Sequence, residues 1–432
     1  MCQIVLPAGF GDRPSGMITV TIHHLLYTEY TTMYHKPLIP LLISLLLVTA
    51  TLLGGCGEDD ADAENRCDLT GDGPADELVF VGNSDSEDVS VVNPRTCTVE
   101  KTIPVGVATT DSNTTPDGRW AFLSSSTDDV VTIIDTDTLE VEKQLETGVR
   151  PVHMFFGPDH EKLWVSNDHS ASVSVIDVET LTVEKTIDVG EGHKKMAVTD
   201  ADPYRVYASN INDDTVSVIN ADDLSVEATI DGGERPHGMD YAASSSQVYN
   251  CVDGDVPGIE VIATDGEDAN TIVDVIELSE RCGYLHIAPD GVYGWAVSSG
   301  ADQVIVFDTD DDTVVAELAV ESRPDKIAFF EGGVAGVAHV GAPEVTLIDT
   351  EAFEIIDHLP VGGAHVDPET GRGHRFIQES VDGRFGYVPN SHDGTLSILD
   401  IERHAVRGTV DVGDHPMPMA VGGPSGGVAY PR

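Results

Sequence analysis

The chain has little positive charge. It contains 23 lysine and arginine residues against 75 aspartate and glutamate residues, so its formal net charge is −52 over 432 residues. Nucleic acids and anionic lipid headgroups bind cationic protein surfaces. The composition therefore excludes nucleic acid as a partner. A solvated acidic surface, with its self-repulsion relieved by salt, accounts for most of the charge.

Several signatures of catalysis and cofactor attachment are also missing. The sequence contains no Cys-x-x-Cys-His, which excludes a covalently attached c-type haem. It also lacks Gly-x-Ser-x-Gly, His-Glu-x-x-His and a Gly-rich nucleotide loop. No enzymatic activity can therefore be assigned from a motif.

The longest apolar run, residues 37–53, is short for a membrane-spanning helix. It follows Lys36 and ends in Leu53-Gly54-Gly55-Cys56, and a charged start with small residues at the end is typical of a signal peptide. The Leu-Gly-Gly-Cys ending resembles the bacterial lipobox, and this resemblance implies cleavage before Cys56 and lipidation of that residue.

These features predict three segments. Residues 1–55 form the signal peptide, and residues 1–32 lie upstream of the true start if translation begins at Met33. Residues 56–76 form a lipidated acidic tether, and residues 77–432 form the folded domain. The predicted location is the bacterial cell envelope, where the lipid anchors the protein to a membrane facing the periplasm or the cell exterior.

Cysteine is rare, with 6 residues in the chain. Removal of Cys2 and lipidation of Cys56 leave four, and an even number in an exported protein predicts disulfides. Four cysteines allow three pairings. We favour Cys67–Cys97, which ties the tether to the start of the folded domain, and Cys251–Cys282, which joins neighbouring inner strands.

A repeat of about 43 residues runs through the folded domain. Each copy contains four short runs rich in β-branched residues, as buried strands require. The third run of each copy ends at a recurring position, occupied by Asn93, Asp135, Asp177, Asn220, Ala263, Asp308, Asp349 and Asp400. The aspartates at this position are expected to cap the turn that follows.

The repeat predicts an all-β fold, a β-propeller of eight four-stranded blades, with seven as the alternative if an irregular copy lies outside the ring. The repeats begin at the second strand of a blade (77–81) and end with an unpaired first strand (418–421). We expect that C-terminal strand to complete the N-terminal blade, which closes the ring and removes an exposed edge.

The repeat is similar to the YVTN family of propeller repeats. The matching runs are Val206-Tyr207-Ala208-Ser209-Asn210, the Ser-Val-Ser-Val-Ile-Asp run at 172–177 and the Thr-Ile-Asp-Val-Gly run at 186–190. The resemblance covers residues 78–430. It implies a propeller fold but no specific function, since function depends on sites added to a fold.

The scarce cationic and imidazole side chains recur in the loops that lead into the innermost strands. They are Arg150, His153, His193, Lys194, Lys195, Arg235, His237, Arg281, His286, Arg323, Lys326, His374, Arg375 and His415. If the ring closes, these residues surround one channel mouth, and a positive ring in an acidic body would attract a small anionic ligand. The alternative is that the arginines pair with acids of neighbouring blades.

The connection before the last repeat is longer than the others and breaks the period. His365, Asp367 and His374 in this segment are candidate ligands for copper or zinc. Asp-rich turns such as 308–312 are candidate calcium ligands.

The sequence thus predicts an envelope propeller that binds a ligand or an envelope protein without catalysis. One alternative is a metal-binding or redox propeller. Another is a lactonase- or lyase-like enzyme that uses the same channel mouth.

Overall fold

The computed structural model describes residues 67, 73–74, 76–192, 195–364, 366 and 373–422. These residues form 32 β-strands and no helix, so nothing in the described part of the chain could cross a bilayer as a helix. The strands make eight four-stranded antiparallel sheets, which are the blades of a propeller. The predicted all-β class and the count of eight blades are confirmed, and the alternative of seven is wrong.

The first four blades follow the chain in order. Blade 1 contains β1 (Leu78–Asn83), β2 (Asp88–Asn93) and β3 (Thr98–Pro104). Blade 2 contains β4 (Asp111–Thr114), β5 (Trp120–Ser125), β6 (Val130–Asp135) and β7 (Glu140–Glu146). Blade 3 contains β8 (Pro151–Phe156), β9 (Lys162–Asn167), β10 (Ser172–Asp177) and β11 (Thr182–Asp188). Blade 4 contains β12 (Met196–Val198), β13 (Arg205–Asn210), β14 (Thr215–Asn220) and β15 (Ser225–Asp231).

The remaining blades have the same strand order. Blade 5 contains β16 (Met239–Ala242), β17 (Gln247–Val252), β18 (Gly258–Ala263) and β19 (Thr271–Glu277). Blade 6 contains β20 (Tyr284–Ile287), β21 (Tyr293–Ser298), β22 (Gln303–Asp308) and β23 (Val314–Ala319). Blade 7 contains β24 (Pro324–Phe330), β25 (Val334–His339), β26 (Glu344–Asp349) and β27 (Glu354–Pro360). Blade 8 contains β28 (Gln378–Glu379), β29 (Phe385–Asn390), β30 (Thr395–Asp400) and β31 (Ala405–Asp411), and the final strand, β32 (Pro416–Gly422), returns to blade 1.

The last strand of the chain closes the ring. β32 pairs antiparallel with β1, with Val79 opposite Val421 and Phe80 opposite Ala420. Blade 1 therefore takes its innermost strand from the C-terminus and its other three strands from the N-terminus. This arrangement confirms the predicted closure and pairs the inner edge of β1.

The hydrophobic core lies between the blades. The described residues form eight buried apolar clusters, one for each junction between neighbouring blades. For example, Phe80 and Val91 of blade 1 pack with Leu123 and Ile134 of blade 2. Because both faces of each sheet are covered, the second and third strands are continuously buried, which explains their runs of β-branched residues.

Each blade has a β-bulge at the same place in its outer strand pair. In blade 3, Val175 lies opposite Lys185 but Ile176 lies opposite Val183, so one residue of β11 is unpaired. The corresponding register shift occurs in the other seven blades. A bulge increases the local twist of a sheet, so this shared feature gives all eight blades a similar twist.

The aspartates that end the third strands cap the turns, as predicted. The Asp135 carboxylate accepts hydrogen bonds from the backbone amides of Asp137 and Thr138, both at 2.9 Å. The same contact recurs at Asp177, Asp308, Asp349 and Asp400.

Both predicted disulfides are present, Cys67–Cys97 and Cys251–Cys282. Cys97 lies in the turn between β2 and β3, while Cys67 makes a backbone bridge with Gly408 of β31, so this disulfide spans the junction between blades 1 and 8. The prediction that Cys251–Cys282 joins two inner strands is wrong: Cys251 lies on β17, the second strand of blade 5, and Cys282 in the loop before β20. Two disulfides indicate an oxidising, extracytoplasmic environment.

The glycine after the outer strand permits a close approach between blades. A β-carbon on Gly190 would lie 2.6 Å from Cγ of Asn210 in the next blade. Asn210 is buried and its amide donates hydrogen bonds to Thr215 and Ser217, which fix its position. Gly148 and Gly413 approach Asn167 and Asn83 in the same way.

Replacement of Gly190 by alanine should therefore destabilise the fold by about 2 kcal/mol, the typical effect of overpacking. The control is Gly283→Ala, because a β-carbon at Gly283 meets no atom within 4 Å, and its effect should stay within about 0.5 kcal/mol. Chemical unfolding measures both values. Equal stability of the two variants would contradict the proposed close approach.

A buried carboxylate lies at the ring closure. Glu77, 4 % exposed, accepts hydrogen bonds from the amide of Val381 at 2.8 Å and from the hydroxyl of Tyr387, both in blade 8. Burial raises the pKa of Glu77 from 4.5 to about 7, although these two hydrogen bonds act in the opposite direction.

The raised pKa of Glu77 makes stability depend on pH. The protonated form is favoured by the fold, so its contribution is complete below pH 4.5 and is lost as the pH rises to about 7. Relative to Glu77→Gln, the wild-type protein should lose about 3 kcal/mol of unfolding free energy across that range. Unfolding of both proteins at pH 4.5 and pH 8 tests this, and parallel pH profiles would contradict it.

Candidate functional site

The innermost strands β4, β8, β12, β16, β20, β24, β28 and β32 surround the central channel, each beside the next. Polar side chains on these strands, and on the residues just before them, therefore come together although they are far apart in sequence. These side chains are the candidate site.

Three of the eight junctions share one arrangement. An aspartate on an innermost strand accepts a backbone N–H from the next blade and lies against the histidine that precedes that N–H. Oδ2 of Asp111 lies 3.1 Å from the amide nitrogen of Met154 and 3.7 Å from Nδ1 of His153. Oδ2 of Asp240 lies 2.8 Å from the amide nitrogen of Ile287 and 2.7 Å from Nδ1 of His286. Oδ2 of Asp325 lies 2.7 Å from the amide nitrogen of Arg375 and 3.4 Å from Nδ1 of His374.

These contacts shift the protonation of their members. Burial is the largest single effect and opposes a charge on His286, but the hydrogen bond and charge of Asp240, together with the charge of Glu379, outweigh it and raise the pKa of His286 above its usual value. Burial likewise opposes a charge on Asp325, but Lys326 and His374 outweigh it and hold the pKa of Asp325 well below its usual range. Asp325 is therefore ionised at neutral pH.

The four described lysines outside the channel contact backbone carbonyls or an acid. The chain has eight lysines. On the outermost strands of blades 1, 2 and 3, Lys101, Lys143 and Lys185 donate to backbone carbonyls in the next blade, at 3.5, 2.7 and 2.7 Å. Lys162 lies 3.9 Å from Glu184.

Lys195 and Lys326 converge in the channel. Nζ of Lys195, from blade 4, lies 3.3 Å from Nδ1 of His153 in blade 3 and 5.7 Å from the ring centroid of Tyr284 in blade 6. Nζ of Lys326, from blade 7, lies 4.0 Å from the same centroid. Within the described ranges, no carboxylate oxygen comes within 4.0 Å of either amine. Two cationic groups thus share one ring without a direct acidic partner.

The position of Lys195 disfavours its charge. Lys195 is 8 % exposed, and burial followed by the charge of Lys326 lowers its pKa well below the usual value. The negative charges of Asp111, Asp325 and Asp168 raise the pKa of Lys195, but by less than burial and Lys326 lower it. An anion bound between the two amines would supply the missing negative charge.

Two arginines at the channel mouth share one carboxylate. Arg235 and Arg281 both lie against Asp253, at 3.2 and 3.5 Å. Nη1 of Arg150 contacts His169 at 2.9 Å. Arg235 and Arg281 therefore form ion pairs with an acid, as the alternative prediction for the arginines proposed.

A local turn explains the repeated Arg-Pro dipeptides. Arg150, Arg235 and Arg323 have φ values of 59, 55 and 56°, and His415, which also precedes a proline, has 55°. The amides of the three arginines donate to aspartates in a preceding turn, Asp129, Asp214 and Asp302, at 2.7, 2.8 and 2.7 Å. The dipeptide is thus part of the connection between blades.

Three other predicted site residues occupy separate positions. Arg375 is 1 % exposed, and its Nη2 donates to the carbonyl of Gly362 and the side chain of Asn390 at 2.6 and 2.9 Å. Nδ1 of His237 lies 2.7 Å from the carbonyl of Gly283. His415 lies 3.5 Å from Asp85. None of these three contacts involves the two channel lysines.

Several predicted residues lie outside the described residues. They are Cys56, His193, Lys194, His365 and Asp367. The predicted metal site is therefore represented only by His374. Among the described residues, no three His, Cys, Asp or Glu side chains are placed to hold a metal ion.

Sequence reasoning missed the acidic and aromatic members of the channel, Asp111, Asp240, Tyr284, Asp325 and Glu379. The chain contains 75 acidic residues, so a single aspartate carries little signal, whereas the rare cations are conspicuous. Their position on innermost strands was the available signal. Glu379 is also at the channel, and burial raises its pKa.

The chain belongs to the YNCE-like β-propeller family. The family model matches residues 48–161 and 119–421, most of the chain. None of the curated proteins matches it at a significant level.

Solved structures share the fold at low sequence identity. Dihydro-haem d1 dehydrogenase NirN in complex with DHE is 18% identical, covering 79% of this chain and 74% of NirN, with a TM-score of 0.64. Apo AztD from Citrobacter koseri is 17% identical, covering 83% and 100%, with a TM-score of 0.64. Hydrazine synthase of Kuenenia stuttgartiensis is 18% identical, covering 68% and 95%, with a TM-score of 0.54. At these identities the likeness establishes the fold alone.

Removal of the Asp240 carboxylate should lower the pKa of His286. In Asp240→Asn, burial is no longer outweighed, so the pKa of His286 should fall below 6.5. Imidazole resonances followed by NMR during a pH titration measure the shift. His339, whose pKa burial lowers to about 4, serves as the internal control and should not change. An unaltered His286 titration would contradict the assigned pair.

Proposed function

We propose that this protein is a lipid-anchored propeller of the bacterial envelope that binds a small anion in its channel, between Lys195 and Lys326 and against Tyr284. The observation that carries the proposal is the convergence of these two amines in a chain with eight lysines and a net charge of −52. The envelope location is supported by the two disulfides and by the lipobox-like sequence before Cys56.

The electrostatics favour an anion over a cation. The carboxylates nearest the lysines already have donors: Asp111 accepts from Met154, and Asp325 accepts from Arg375. The amines of Lys195 and Lys326 are the groups without an ionic partner among the described residues. An anionic ligand would satisfy both and would be held by charge-assisted hydrogen bonds.

The ligand is expected to be small. His153, Lys195, Tyr284 and Lys326 come from blades 3, 4, 6 and 7, yet Lys195 lies beside His153 and both lysine amines lie within 5.7 Å of the Tyr284 ring centroid. They therefore extend across the channel, which leaves space for a carboxylate or phosphate group of a few heavy atoms. A large protein partner could bind the outer rim but not this position.

Titration calorimetry with lactate and with inorganic phosphate tests the proposal. The wild-type protein should bind at least one of the two saturably, and added salt should weaken the binding by screening. Lys326→Met should reduce the affinity by at least about tenfold, since hydrogen bonds to charged groups contribute about 1.5–3 kcal/mol.

The matched control is Lys162→Met, which removes the same charge from the ion pair with Glu184 far from the proposed contacts. It should bind as the wild type does. Binding that Lys326→Met leaves intact, or no binding of either anion to the wild type, would contradict an anion site at this position.

A further inference from the structure

Lys195 combines three features that a simple counter-ion for an anion does not need. It is 8 % exposed, its amine lies 3.3 Å from an imidazole nitrogen of His153, and a second lysine lies over the same tyrosine ring. Surface lysines remain charged and unreactive, whereas a lysine that is desolvated or placed beside another cation becomes a nucleophile.

We propose that Lys195 captures an anionic carbonyl compound of the 2-oxo acid class as a reversible imine, with Lys326 holding the carboxylate. This inference rests on the proposed anion site and adds a covalent step to it. A 2-oxo acid carries its carbonyl carbon next to its carboxylate, so one amine can bind the charge while the other attacks the carbon.

The step balances without any other reagent. The lone pair of Lys195 Nζ forms a bond to the carbonyl carbon, and the electron pair of the C=O bond moves to oxygen. The nitrogen loses a proton to Nδ1 of His153, and that proton returns to the alkoxide oxygen to give the neutral carbinolamine. The second N–H proton reaches the carbinolamine hydroxyl by the same route, so the hydroxyl leaves as water while the nitrogen lone pair forms the C=N bond. One amine and one carbonyl thus give one imine and one water.

The neighbours of Lys195 determine whether its amine is free to react. Lys326 and burial disfavour its charged form, while Asp111, Asp325 and Asp168 favour that form, and the balance lowers the pKa of Lys195. His153 and Tyr284 are the polar groups beside it. His153 has a side chain 17 % exposed and Asp111 one 19 % exposed. Solvent therefore reaches the groups beside the amine.

Borohydride trapping identifies the lysine that forms an imine. The purified protein is mixed with pyruvate, reduced, digested and analysed by peptide mass spectrometry. Lys195 should carry the reduced pyruvate adduct at an occupancy at least about tenfold above that of Lys101, Lys143, Lys162 and Lys185, because a lowered pKa increases the neutral amine. The comparison is made within one wild-type protein, so it does not require a folded variant.

Two further samples separate this inference from the proposed function. Lactate has the same carboxylate but no carbonyl, so it should compete with pyruvate and reduce the trapping, without forming an adduct. Lys195→Arg, which keeps the positive charge, should form no adduct at position 195 while its other lysines react as before.

The outcomes are distinct. Binding of lactate with no adduct at Lys195 overturns the imine but not the anion site. An adduct at Lys195 that lactate does not reduce overturns the role of Lys326 and the anion site. Equal labelling of all lysines overturns the special reactivity of Lys195.

Discussion

The structure depends on the backbone pairing between β1 and β32. These strands lie at opposite ends of the propeller sequence, yet their hydrogen bonds make one blade of the two termini. Only a closed ring gives all eight junctions two apolar faces, and the cluster between blades 8 and 1 requires this pairing because it contains Met419 and Val421 of β32 beside Val79 and Val81 of β1. The Cys67–Cys97 disulfide and the buried carboxylate of Glu77 lie at the junction of blades 1 and 8. The N-terminal segment thus reinforces the closure that the final strand makes.

The candidate site follows from this closure. His153, Lys195, Tyr284 and Lys326 lie on four different blades, and a closed ring is what brings them together. The acidic body of the protein makes their position significant. Three other lysines bond to carbonyls of neighbouring blades, whereas Lys195 and Lys326 are held near each other at the cost of mutual repulsion. A bound anion removes that repulsion, and a neutral Lys195 amine would reduce it in the empty protein.

The fold was largely predictable from the sequence, because a repeat fixes the strand pattern, and its interruption at both ends predicts how the ring closes. The site was predictable only in part. The sequence of the loops before the innermost strands pointed to His153, Lys195 and Lys326 among fourteen candidate residues. It did not show which of the fourteen side chains contact one another. Arg235 and Arg281 share Asp253, and Arg375 is buried against Asn390. Side-chain direction depends on the turn before each strand, where a left-handed residue such as Arg150 directs the chain, and the repeat pattern does not contain that information.

Anomalous diffraction from crystals soaked in bromide tests the central claim most directly. Bromide is a small anion whose position can be found without assumptions about the natural ligand. The account predicts an ordered bromide between Nζ of Lys195 and Nζ of Lys326, beside the ring of Tyr284. Bromide bound only at the arginines of the channel mouth, with the two lysines turned towards Asp111 and Asp325, would contradict it.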